Sequence, residues 1–210
     1  MSFEAVMPPY NASDPHARFL SSSTLDFLLI EIVPMAYRVT HEVEALALAE
    51  GGTSGLESGE ATAAAAARKM DEDEERDAVF FRLEGLGYRV GQGLVERFSR
   101  DRPRFTDTLD VIKFLCKDLW MLVFRKQVDN LKTNHRGVYV LTDNAFRPFS
   151  RMSTETGGQA VVRAQPFLWF PCGIVRGALA AMGINASVQA DSTELPGAVF
   201  QIKTIPAKAA

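Results

Sequence analysis

The sequence predicts an α+β fold, with helices layered against antiparallel strands in the order α-α-α-β-β-α-β-β. Three observations predict it. Apolar residues recur at helical spacing through the segments before about residue 130. The period then changes to two, first in "GVYVLTD", Gly137 to Asp143. Strands come as neighbours joined by short turns, which favours antiparallel pairing over a doubly wound sheet.

Each element has its own signal. Residues 1–20 carry Pro8, Pro9, Asn11 and Pro15 and read as an irregular tail. Ser22, Ser23 or Thr24 can cap a first helix whose apolar face is Leu25, Leu28, Leu29 and Ile32. Pro34 is expected to kink or end it, with helical composition resuming to Glu50, so that 21–50 is an N-terminal helical segment. Residues 51–77, "GGTSGLESGEATAAAAARKMDEDEERD", hold almost no large apolar side chain and read as a flexible low-complexity insertion. The main body of the domain is 78–210. A second helix is expected over about 76–100 and a third over about 107–130, with the stripe Leu109, Ile112, Cys116, Leu119, Trp120 and Val123. Arg125 and Lys126 would sit in its last turn, where cations suit the helix dipole. "GVYVLTD" is the next strand. "NAFRPFSRM" is its expected hairpin partner across an Asp143-Asn144 turn. A helix from about Pro171 to Met182 stops at Gly183, and "INASVQADS" and "AVFQIKTI" form a last pair around Pro196-Gly197.

The chain has 210 residues, 47% of them hydrophobic, which suits one domain with a core of its own. No secretory leader and no membrane span are expected, since "FLLIEIVPMAY" is broken by Glu31 and Pro34. Two cysteines in apolar surroundings suggest a reducing, cytoplasmic setting. The net charge of −3 divides into −10 over residues 1–80 and +7 over 81–210. The acidic half reads mainly as a solvated insertion attached to an ordinary domain.

"EGLGYRVGQGLVERF", Glu84 to Phe98, holds Gly85, Gly87, Gly91 and Gly93. A dinucleotide loop needs a strand before its glycines and a helix opening within them; a charged helical stretch precedes these. No Gly-Lys-Ser/Thr follows, so a phosphate loop is wanting as well. On a helix, Leu83, Gly87, Gly91 or Val90, Leu94 and Phe98 share a side. Interior glycines each cost about 0.5–1 kcal/mol against alanine, so their grouping needs a packing reason. A tight internal crossing and a partner's helix satisfy that reason equally. Gly173, Gly177 and Ala181 repeat the spacing in a second helix.

No catalytic constellation emerges. His16, His41 and His135 are scattered, with no cysteine or carboxylate at metal-ligand spacing. Cys172 and Cys116 read as small buried apolar residues. "DEDEE", 71–75, reads as a solvated run within the insertion. Arg97, Arg100, Arg102 and Arg104 form a basic patch at a helix end, with Phe98 and Phe105 the only aromatics among them. Nucleic-acid binding is not expected on so few stacking groups.

Four segments together, "LGYRVGQGLVERF", "DTLDVIKFLCKDLW", "QVDNLKTNHRGVYVLTDNAFRPF" and "CGIVRGALAAMGI", resemble the small-subunit family of the TRAPP vesicle-tethering complex, nearest to its subunit 6 branch. The resemblance covers about 78–205, and more weakly 24–38. It implies an α/β plait with four main helices on one side of an antiparallel sheet, no enzyme activity and no cofactor. It implies pairing with a sister TRAPP small subunit through the first two helices, and docking of that pair at one end of a rod-like assembly. That assembly tethers vesicles and exchanges nucleotide on a Rab GTPase at the ER–Golgi step and the Golgi; the GTPase would contact this subunit only indirectly. Interface candidates carried over are Leu28, Ile32, Leu83, Leu86, Val90, Leu94 and Val95, with Gly87 and Gly91. On this reading Gly91→Leu weakens pairing and leaves the subunit folded.

One departure stands out. A family member carries an acylatable cysteine three residues before the Phe opening its third helix; here that position is Arg102, before Phe105. A covalent lipid is therefore not expected. The four arginines are instead candidates for contact with anionic membrane or an acidic partner. The rival reading is a small-molecule-binding domain of the same fold, with its ligand between helices and sheet.

Overall fold

A computed structural model describes residues 21–51, 71–100, 102–134, 136–152 and 157–205. The expected tail at 1–20 lies outside them, as does most of the expected insertion, 52–70.

Helix α1 spans Ser22–Gly51 and continues without a break through Pro34. Pro34 removes one intrahelical hydrogen bond at an exposed position, and the helix continues past it. Helix α2 spans Glu72–Phe98. It starts inside the segment expected to be flexible, and the acidic run is the reason. Asp71 accepts a hydrogen bond from the Glu72 N–H at 2.8 Å, and Glu72 to Glu75 lie at the positive end of the helix dipole. The "DEDEE" run is thus a helix start, and residues 72–77 belong to α2.

Helices α3 (Thr108–Phe114) and α4 (Trp120–Phe124) are joined without a break by a π turn, Leu115–Leu119. The rod ends earlier than expected, at Arg125, which adopts a left-handed conformation with φ 64°. Arg125 and Lys126 therefore lie past the helix. The Cys116 carbonyl, within the π turn, accepts the Val128 N–H at 3.0 Å, which turns the chain back into the sheet. Strand β1 follows at once, Asn130–Thr133, pairing with β2, Val138–Asp143. The first hairpin is thus made with the residues before "GVYVLTD". "NAFRPF" contributes a 3₁₀ turn, Arg147–Phe149, because Pro148 lacks the N–H a ladder needs and Phe146 and Phe149 are drawn into the core.

A short helix not foreseen in the sequence, α5 (Gly157–Ala164), and a 3₁₀ turn, Gln165–Leu168, lead into α6, Trp169–Ala181. Gly183 ends α6 at φ 83°, with the Ile184 N–H on the Leu179 carbonyl and the Gly183 N–H on the Ala180 carbonyl. Strands β3 (Ala186–Asp191) and β4 (Ala198–Thr204) complete an antiparallel sheet of order β1-β2-β4-β3. The fold is α+β as expected, with α5 added before α6 and the first hairpin formed one segment earlier.

One sheet face, with Tyr139, Leu141, Phe200 and Ile202, is buried together with residues from the helices. Trp120, Phe124, Phe146, Phe149 and Phe200 form its aromatic centre, ring to ring at 4.7–6.3 Å. Their areas and edge-to-face contacts dominate this part of the core.

Candidate partner interface on the first two helices

The largest helix–helix contact in the fold is α2 against α6, and it is built from glycines. A Cβ on Gly87 would fall 2.9 Å from the Ile174 nitrogen, and closer still to the Phe170 carbonyl oxygen. On Gly91 it would fall 2.9 Å from the Ala178 nitrogen. The device is reciprocal: a Cβ on Gly173 would fall 2.9 Å from the Tyr88 nitrogen, and one on Gly177 2.8 Å from the Tyr88 Cα. Two backbones thus meet directly, each lying over the other's missing side chains. Glu84 and Arg176 clamp the crossing with a bidentate pair, Arg176 Nη2 donating to Glu84 Oε2 at 2.7 Å. The same guanidinium lies over the Tyr88 ring, 4.5 Å from its centre.

This corrects the expectation that Gly87 and Gly91 face a partner. Their side of α2 is filled by the chain's own α6. Leu83, Val95 and Ile32 are buried too, at 1%, 4% and 5% exposure. Leu86 and Leu94 are half-buried. Of the nine candidates only Leu28, 57% exposed, and Val90, 37% exposed, stand on the surface.

A different apolar face is free. Helix α1 buries Leu29, Ile32, Val33 and Ala36. Thr40 sits on the same seam, donating to the Ala36 carbonyl at 2.8 Å and accepting from Arg82 Nε at 3.0 Å. His41 meets Glu75 at 2.9 Å, and at the other end Arg147 Nε donates to Asp26 at 2.7 Å. These contacts fix the rotation of α1. They leave Leu28, Met35, Val39, Val43 and Leu46 exposed along one side. The spacings of seven, four, four and three residues keep all five on one stripe. At 1.5 Å per residue the stripe is about 27 Å long. The sequence signal was present, but a kink or an end expected at Pro34 set Leu28 apart from the four residues after it.

The arginine patch divides. Arg97, Arg100 and Arg104 are exposed. Arg102 is half-buried, bonded to both oxygens of Asp118 at 3.0 and 2.6 Å, with its guanidinium over Phe114.

Among the described residues no cluster has the form of a reactive centre. Burial pushes both thiols up to about 12, and Glu84 adds to the effect at Cys172, so neither is a ready nucleophile. Among the described residues no group of His, Cys, Asp and Glu could hold a metal ion, and no helix is long and apolar enough to cross a membrane. A groove of about 580 Å³ opens beside the edge strand β3, lined by Phe80, Gln165, Trp169, Cys172 and Asp191 among others.

Comparison with known proteins bears on these features. Residues 25–205 match the family model described as transport protein particle (TRAPP) component. The trafficking protein particle complex subunit 6b of Danio rerio is 53% identical over 121 residues, 58% of this chain and 76% of that protein. Subunit 6B of Homo sapiens is 50% identical over 58% of this chain and 75% of that one. An uncharacterized protein of Schizosaccharomyces pombe is 36% identical over 184 residues, 88% of this chain and 64% of its own length. Among solved structures, subunit 3 from Naegleria fowleri, covalently bound to palmitic acid, superposes with a TM-score of 0.59. That match covers 90% of this chain and all of the other at 12% identity, a likeness of fold.

Proposed function

The chain belongs to the TRAPP component family, and on that premise we propose that it is a non-catalytic subunit of the TRAPP vesicle-tethering assembly, paired with a sister small subunit through the exposed side of α1. The observation that carries this reading is the 27 Å stripe of Leu28, Met35, Val39, Val43 and Leu46. An aligned row of exposed apolar side chains on a long helix costs hydration until a second surface covers it. Val90, on α2, is a further exposed apolar candidate, with half-buried Leu86 and Leu94 one turn to either side of it in the helix. Ile32, Leu83, Gly87, Gly91 and Val95 are not candidates: their work is internal. The subunit would stabilise the assembly and support Rab GTPase exchange without supplying the exchange site. The chain would act from the cytoplasm, peripherally at ER–Golgi and Golgi membranes.

Met35→Glu with Val39→Glu tests the pairing surface. Both residues are exposed, so the lone subunit keeps its unfolding temperature. Two charges at the centre of a covered apolar stripe are expected to weaken pairing on the order of a hundredfold or more, read by titration calorimetry against the sister subunit. Unchanged affinity would remove α1 from the interface.

A further inference from the structure

We propose that the arginine-bearing end of α2 docks on an anionic lipid surface. The inference rests on the peripheral placement above and names the surface responsible for it. Residues 97–104 carry four arginines and one aspartate. Arg97, Arg100 and Arg104 are exposed and make no ion pair with any described residue. Arg97 lies in the last turn of α2, where the helix dipole alone would favour a cation. Arg100 and Arg104 lie beyond that turn, so the dipole does not account for them.

The fourth arginine has a different part. Arg102 is held by both oxygens of Asp118 and lies 4.9 Å over the Phe114 ring. Phe105 packs on the same ring at 5.3 Å. The segment after α2 is therefore fastened to α3 and the π turn at its middle, and it presents Arg100 and Arg104 on either side of the fastening. Lys117, next to Asp118 in the chain, is exposed as well. Between Arg97 and Ser99 stands Phe98, 45% exposed.

Exposed cations in the same short segment as a single exposed aromatic suit a lipid headgroup layer. The guanidinium groups meet the anionic surface, and the ring enters the headgroup–acyl boundary. A nucleic acid would call for a row of stacking aromatics, and one exposed ring does not make a row. The attraction has to be local, because the whole chain carries a net charge of −3.

The test is flotation of the full chain, alone and with its sister subunit, on phosphatidylcholine vesicles with and without phosphatidylserine. Recovery should require phosphatidylserine and fall with added salt. Arg97→Gln/Arg100→Gln/Arg104→Gln should lower partition on the order of a hundredfold. Its unfolding temperature and sister affinity should not change. Lys132→Gln/Arg136→Gln, removing two cations near the β1–β2 turn, should keep wild-type binding. Phe98→Ser should lower partition severalfold without removing the lipid selectivity. Equal recovery on neutral and anionic vesicles would overturn the proposal, as would an equal loss in the Lys132/Arg136 variant. Stronger capture by generic RNA than by anionic vesicles would reassign the patch to a soluble polyanion. Intact pairing in the same samples would show that the docking surface alone had failed.

Discussion

Gly91→Ala is expected to destabilise the fold by about 3 kcal/mol, lowering the unfolding temperature by roughly 6–12 °C. The new methyl would fall inside 3 Å of the α6 backbone at Ile174 and Ala178, and neither helix can yield without moving the other. Gly85→Ala and Gly93→Ala serve as internal controls, because a Cβ at either meets nothing within 4 Å. Each should gain about 0.5–1 kcal/mol from improved helix propensity. Four glycines in one helix thus divide into two that hold the crossing and two that merely weaken the helix. Thermal unfolding by circular dichroism reads all of this directly. A Gly91→Ala protein melting with the wild type would mean that the helices are not in backbone contact. The outcome also separates the internal account from the sequence-based one, in which Gly91→Leu spares the fold and weakens pairing.

The second large effect is at Asp143. Its side chain is 1% exposed. One oxygen accepts the Trp120 indole N–H at 2.8 Å; the other accepts Lys126 Nζ at 2.7 Å and the Ala145 N–H at 3.0 Å. It joins α4, the segment after it and the end of β2. Asp143→Ala leaves a buried indole donor without its acceptor and Lys126 with Asp129 as its remaining carboxylate. Destabilisation of about 3–4 kcal/mol is expected. Asp143→Asn keeps an oxygen for the indole but gives up the charge, and about 1–2 kcal/mol is expected. Urea unfolding of the two variants checks the order; an alanine variant no worse than the asparagine one would contradict it.

Much of the fold was legible because period and turn chemistry change together at residue 137. The places that failed were those where a distant contact decides the outcome. Pro148 is the one local mark against a strand in "NAFRPF", and the 3₁₀ turn is decided only when Phe146 and Phe149 have a core to enter. Nothing local marks Asn130–Thr133 as a strand until Cys116 holds Val128. The acidic run at 71–75 looked like solvated linker because its fit to a helix start depends on the helix behind it. The glycines are the clearest case. Their spacing states that a backbone comes close, and the matching spacing of Gly173 and Gly177 names which one. That second pattern was visible in the chain, but only the packing of α2 on α6 joins the two. The exposed stripe was likewise present as Leu28, Met35, Val39, Val43 and Leu46, hidden because Pro34 was expected to kink or end the helix between Leu28 and Met35.

The most direct measurement is co-expression of the chain with a sister TRAPP small subunit, followed by size-exclusion chromatography with light scattering. A stable one-to-one heterodimer is expected, separating into monomers when Met35 and Val39 are both replaced by glutamate. A well-folded monomer that ignores the sister subunit would contradict the proposed pairing.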